Sequence, residues 1–179
     1  TVNPSSTTTY TVTVSDVNGC TDVDQVTVNV SSVTVEAGPN QTICLGSSTT
    51  LNATGTGTFY QWSTGATTQS ITVSPATTTT YSLTASDANG CTAVDQVTVT
   101  VGSAVANAGP DQTICLGTST TLSATGGTSY QWSTGATTQS ITVNPSSTTT
   151  YTVTVSDVNG CTDVDQVTVT VGSASVEAG

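Results

Sequence analysis

The reactive groups of this chain are thiols and carboxylates. Cys20, Cys44, Cys91, Cys115 and Cys161 stand beside 11 acidic residues in a sequence of 179 that has no Lys, no Arg and no His. Ser, Thr and Cys nucleophiles abound, but without His or Lys no ordinary general base is at hand to activate them, so the chain is read as no enzyme. Nor can a zinc site be built from His. No CxxC pair or other redox motif accompanies the cysteines, which favours disulfides in an oxidising, extracellular setting. A formal charge of -11 with no cation leaves nothing to hold phosphate, which excludes nucleic acid and anionic membrane surfaces as partners. No run reaches the roughly 18 apolar residues of a membrane span, so no membrane insertion is expected.

Two pairings of the cysteines are open. Within repeats, Cys44 would join Cys91 and Cys115 would join Cys161, leaving Cys20 for a cysteine upstream of the chain. Between neighbours, Cys20 would join Cys44 and Cys91 would join Cys115. Both leave one cysteine over, so counting does not separate them. About ten extended residues lie between the turn and the next module, roughly 33 Å, more than a disulfide spans, which favours the first scheme. A bridge closing a loop of that size contributes about 4 kcal/mol.

Asp16, Asn18, Asp22 and Asp24 put oxygen ligands at a spacing that suits calcium, the one cofactor considered. Ala93 replaces the aspartate in the middle copy and no bidentate Glu follows, so a structural turn is the first reading and no metal is assigned. Trp62 and Trp132, with Tyr60 and Tyr130 on the same strand face, could stack on a glycan. The plainer expectation makes Trp62 and Trp132 core anchors. Tyr10, Tyr81 and Tyr151 each close a Thr run and open an alternating strand, and are expected as anchors that hold a loop.

The elements that must carry these residues are strands. Thr supplies about a quarter of the chain, and apolar and polar residues alternate through Tyr151, Val153 and Val155 and through Val167, Val169 and Val171, one face dry and one wet. The sequence also repeats. Ala37-Gly38-Pro39-Asn40-Gln41-Thr42-Ile43-Cys44-Leu45-Gly46 returns at Ala108 to Gly117, Tyr60-Gln61-Trp62-Ser63-Thr64-Gly65 at Tyr130 to Gly135, and Asn18-Gly19-Cys20 at Cys91 and Cys161. The period is about 70 residues and slips by one at a Thr/Gly loop, long enough for one small sandwich per copy. The expected division is 1–32 as the C-terminal half of a repeat, 33–103 and 104–173 as whole repeats, and 174–179 as the start of another. About seven short strands per copy are expected, the one around Ile43 at an edge. Asn89-Gly90 is expected as a type I′ hairpin turn.

Taken together, the Ala-Gly-Pro-Asn/Asp-Gln-Thr-Ile-Cys, Tyr-Gln-Trp-Ser-Thr-Gly and Ser-Asp-x-Asn-Gly-Cys frames resemble the Ig-like and PKD-like repeats of giant Bacteroidetes surface adhesins and filamentous surface proteins. Trp62-Ser63-Thr64-Gly65 stands where many PKD domains have Trp-Asp-Phe-Gly-Asp-Gly, which favours the Ig-like label. The resemblance implies an all-β fold of tandem immunoglobulin-like β-sandwich repeats, export by the type IX route, and a gliding-type stalk at the cell surface. The expected function is structural: reach and mechanical strength for attachment. The alternative is an array of calcium- or glycan-binding modules. Expected partners are neighbouring repeats of the same chain, a homo-oligomeric fibre, and a cell-surface or environmental ligand gripped by domains beyond this sequence.

Overall fold

A computed structural model describes residues 1–173, so the expected start of a further repeat at 174–179 lies outside the described residues. Every regular element among them is a strand. In chain order they are β1 (Thr8–Ser15), β2 (Thr21–Val28), β3 (Val35–Glu36), β4 (Gln41–Cys44), β5 (Thr49–Asn52), β6 (Thr54–Gly55), β7 (Phe59–Trp62) and β8 (Ser70–Val73). There follow β9 (Thr79–Ser86), β10 (Thr92–Gly102), β11 (Gln112–Cys115), β12 (Thr120–Ser123), β13 (Ser129–Trp132), β14 (Ser140–Val143), β15 (Thr149–Ser156) and β16 (Thr162–Gly172).

In space the described chain falls into two compact units: Thr1–Pro39, Thr50–Thr72 and Thr80–Thr98 in the first, Asn40–Thr49, Val73–Thr79 and 99–173 in the second. The second contains a whole sandwich. One sheet runs in the order β11-β16-β15-β13 and the other pairs β12 with β14. Tyr151, Val153, Val155, Val167, Val169 and Trp132 from the first sheet meet Leu122, Ile141 and Val143 from the second, with Ala108 and Ala124 filling the margins. Period-2 alternation places these side chains on one face and the threonines on the other, which is why strands 4 to 11 residues long suffice to close a core. The chain is an all-β protein of tandem immunoglobulin-like sandwich repeats.

The strand around Ile114 is an edge strand, as expected, and its pairing is specific. β11 runs parallel to β16, with Gln112 opposite Val169 and Cys115 opposite Gly172. β4 pairs with the end of β10 in the same way, Gln41 opposite Val99 and Cys44 opposite Gly102. First and last strands of a repeat are therefore parallel neighbours.

In the first unit, β1 and β2 form an antiparallel hairpin, Thr8 opposite Val28 through Ser15 opposite Thr21. There too β7 pairs with β9, Trp62 opposite Leu83, and β3 with β6. The Thr/Gly loop where the period slips is tightly held: Gly126 has φ +104° and a Cβ there would lie 1.7 Å from the Val105 carbonyl oxygen. Only glycine fits.

Candidate functional site

The parallel ladder carries Cys44 to the linker. Cys44 faces Gly102, the Leu45 N–H donates to the Gly102 carbonyl at 2.9 Å, and Ser103 to Val105 lie beside the cysteine. The thiol it meets is presented by the β15–β16 turn. There the Asp157 Oδ1 accepts the N–H groups of Asn159 and Cys161, each at 2.8 Å, while the Gly160 N–H donates to the Asp157 carbonyl and Gly160 takes φ +82°. Cys161, 3% exposed, is thereby fixed, and its sulfur is bonded to that of Cys44, with Cα atoms 5.5 Å apart and 117 residues between them in sequence. The fit is close: a Cβ on Gly102 would meet Asp157 Oδ2 at 2.5 Å and Asn159 Cβ at 2.8 Å. The disulfide thus staples the end of one repeat to the leading turn of the next.

This replaces both pairings expected from sequence. Cys44 is not joined to Cys91, nor Cys115 to Cys161; Cys20 and Cys115 are exposed free thiols and Cys91 is a half-buried one. Cys20–Cys44 and Cys91–Cys115 are equally absent. The reason is strand direction. Cys115 pairs with the last residue of β16 and Cys161 sits just before its first, so 11 residues of extended chain, roughly 35 Å, separate them. The length weighed in the sequence was that of the strand after the turn, counted only against pairing between modules; it missed that parallel pairing returns Cys44 to the far end of its repeat.

The Asn-Gly turn also differs from expectation. Gly90 has φ +84°, but among the described residues no non-glycine has positive φ, so Asn89 does not take the type I′ conformation. Instead Asp87 opens a turn closed by the Gly90 N–H to the Asp87 carbonyl, and its Oδ1 accepts from Asn89 and Cys91 at 2.9 Å. The aspartate side chain replaces the second positive-φ residue as the organiser of the bend.

That chemistry accounts for the suspected calcium ligands. Asp16 Oδ1 accepts from the backbone of Asn18 and Cys20, both at 2.9 Å. Among the described residues, Asp22 and Asp24 accept only from the next residue in the chain, Val23 and Gln25. In the last copy the same two positions, Asp163 and Asp165, hold the Ala106 and Ala108 N–H groups at 2.9 and 2.8 Å, and Asp95 holds Ala37 at 2.7 Å. Among the described residues no three acidic, Cys or His side chains gather as a metal would need. Asp16 thus organises a turn, as first read, while Asp95, Asp163 and Asp165 latch distant backbone, a role the sequence reading missed. Its signal was Asp24, Asp95 and Asp165 recurring at one place in the period.

The hydrogen bonds are visible in the acidities. For Asp16 the Cys20 N–H is the leading influence and the pKa lies below the ordinary value. Desolvation pushes Asp87 and Asp157 upward, but the donors around each, led by Cys91 and Cys161, together outweigh it and the net shift is downward. Asp165 is lowered by the Ala108 N–H first and the Gln166 N–H second.

Trp62 and Trp132 are each 1% exposed, with Nε1 donating to the Thr68 and Thr138 carbonyls at 3.0 Å. Neither ring face is open to a sugar. Tyr81 and Tyr151 are buried and Tyr10 is half-buried. The phenols that hold a loop are others: Tyr60 donates to the Gly57 carbonyl and Tyr130 to that of Gly127, both at 3.0 Å.

No protein-family model matches the chain, and no curated protein matches it. Among solved structures it is similar to the two-domain DIP-gamma IG1+IG2, at 11% identity and TM-score 0.45 over 79% of this chain and 95% of that one. The four N-terminal Ig domains of Dscam1 isoform 4.4 align at 11% identity and TM-score 0.37, over 88% and 52%. A Ca2+-stabilized, ice-binding adhesin of an Antarctic bacterium aligns at 18% identity and TM-score 0.36, over 96% and 58%.

Proposed function

We propose that this chain is a load-carrying stretch of an extracellular stalk, its repeats at 33–103 and 104–173 set in series and stapled at the junction. The observation that carries this reading is the parallel pairing of first and last strands, β4 with β10 and β11 with β16. A pull on the two ends of a repeat draws parallel neighbours in opposite directions, so the ladder bonds share the load in shear and must break together. A hairpin pulled from its open end would unzip one bond at a time. The disulfide fits an oxidising location, and the lack of Lys and Arg denies trypsin any site. Attachment at a cell surface, and a filament of the Bacteroidetes, type IX-exported kind, belong to the same reading.

The test is mechanical and topographic. The Leu116 N–H reaches Gly172, so by alternation the Ile114 N–H also faces β16, and Ile114→Pro removes a ladder donor. With the Cys44–Cys161 bond reduced, so that tension runs through the ladder rather than across the disulfide, single-molecule stretching should show a force peak for this repeat that falls by more than half in Ile114→Pro. On intact cells an impermeant label should reach the chain. A wild-type repeat that yields with no resolvable peak, or a chain confined to the cell interior with Cys44 and Cys161 reduced, overturns the reading.

A further inference from the structure

We infer that the wet face of β7 and β9 carries a binding site for a neutral oligosaccharide, with Phe59 as the ring on which a pyranose stacks. Phe59 is the only phenylalanine of the chain and is 62% exposed. Alternation turns Tyr60 and Trp62 inward and leaves Phe59 and Gln61 on the outer face. The register sets Ser86 opposite Phe59 and Thr84 opposite Gln61. Ring, amide and two hydroxyls thus share one face, and with Thr67 from the loop after β7 they line a groove of about 590 Å³. That lies within the ~300 to 1,000 Å³ of small-molecule sites. The fold does not ask for the ring. Ser129 takes its place in β13, in the same register opposite Ser156, with Tyr130 and Trp132 turned inward as before.

The lining selects the ligand. Every residue around the groove is uncharged, so a cation finds no carboxylate to pair with there, and an anion finds no cationic side chain anywhere in the chain. Elsewhere on the wet faces hydroxyls satisfy one another, as Thr80 and Thr98 do at 2.9 Å. Among the described residues the side chains of Gln61, Thr67, Thr84 and Ser86 make no such bond. Each of these groups can both donate and accept, which suits a ligand whose own groups do both, as the hydroxyls of a sugar do. The C–H face of a pyranose covers the electron-rich face of Phe59, and its hydroxyls reach Gln61, Thr84 and Ser86. A protein partner would need about 800 Å² of matched surface with an apolar centre, whereas here one exposed aromatic ring stands among hydroxyls. The site lies within one repeat and would serve a chain that bore no load.

Because Phe59 has no second phenylalanine beside it, carbon-13 phenylalanine gives a single set of ring signals in the whole 179-residue chain. The probes are maltohexaose, cellohexaose, laminarihexaose and mannohexaose, with hexagalacturonate as the acidic control, each titrated to millimolar concentration. At least one neutral sugar should move the Phe59 ring and the Gln61 side-chain amide together and saturably, and hexagalacturonate should move neither. In Phe59→Ser, which copies the residue found in β13, the affinity read at the Gln61 amide should fall at least about tenfold. Ser129→Phe sets a ring beside Gln131, Thr154 and Ser156, and should add a second ring signal that shifts with the same sugar. The inference is overturned if no neutral sugar moves the Phe59 ring, if hexagalacturonate moves it as much, if Phe59→Ser binds as tightly as the native chain, or if the ring added by Ser129→Phe stays unmoved. A Phe59 ring signal that shifts with protein concentration alone would overturn it too, by giving this face to a second copy of the chain.

Discussion

Residues 1–32 and 142–173 are the same sequence but for Asn29 against Thr170 and Ser31 against Gly172, yet they end in opposite states of burial. Val12, Val14 and Val26 are 58%, 59% and 61% exposed, and their counterparts Val153, Val155 and Val167 are 0%, 0% and 1% exposed. The hairpin itself hardly differs. Both pair Thr to Ser ends in the same register, and both link their wet faces by a Thr–Thr hydroxyl bond, Thr9 to Thr27 at 2.9 Å and Thr150 to Thr168 at 3.1 Å. What separates them is the second sheet. Alternation makes a strand able to have a dry face; only a facing layer makes it dry. The latch obeys the same rule, since Asp165 holds Ala108 while Asp24, its counterpart, accepts from its neighbour Gln25 alone among the described residues.

The largest effect that would sharpen this contrast lies at the cysteines. Cys161→Ser opens a loop of 117 residues and should cost about 5 kcal/mol by loop entropy, whereas Cys20→Ser, at the same place in the hairpin, should stay within about 0.5 kcal/mol. Denaturant midpoints measure both, and comparable losses would mean that Cys20 is held by something beyond its hairpin.

Next comes the core. Trp132→Ala should cost about 4 kcal/mol, read from the same midpoints. Smaller but more direct, Val153→Ala should cost about 2 kcal/mol and Val12→Ala under about 0.5. Equal values for these two valines would break the comparison outright.

Acid gives the smallest effect. Asp16, Asp87, Asp157 and Asp165 all have folded pKa values below the ordinary one. Their stabilising contribution is therefore complete above the unfolded carboxylate range and is lost as pH falls through the depressed values. Melting temperature should be flat above that range and decline modestly below it. Since the turn is intact in both copies, carbon-13 titration of Asp16 and Asp157 should find both midpoints low. An Asp16 that titrates as a free aspartate would show that the turn needs the second sheet after all.

Much of the sandwich was legible because alternation, the Thr-rich wet face and the repeat period are local properties of a string. The edge position of the Gln-Thr-Ile-Cys strand was legible too. Its direction was not, since four residues from Gln41 carry no mark of parallel or antiparallel pairing; that is decided by where the chain can return once the sheet has formed. The disulfide depends on that direction and was misread with it. The Asp-x-Asn-Gly turn was legible as a bend but not in type, because the Asp87 carboxylate does by hydrogen bonding what the sequence reading assigned to backbone conformation at Asn89.

The bond between Cys44 and Cys161 also fixes how far this segment can be drawn out. With 117 residues enclosed between the two sulfurs and at most about 3.5 Å of extended chain per residue, roughly 400 Å of slack is kept in reserve while the bond is whole. Sandwiches inside that ring can melt and refold in private, and the distance between the two anchored ends need not grow when they do.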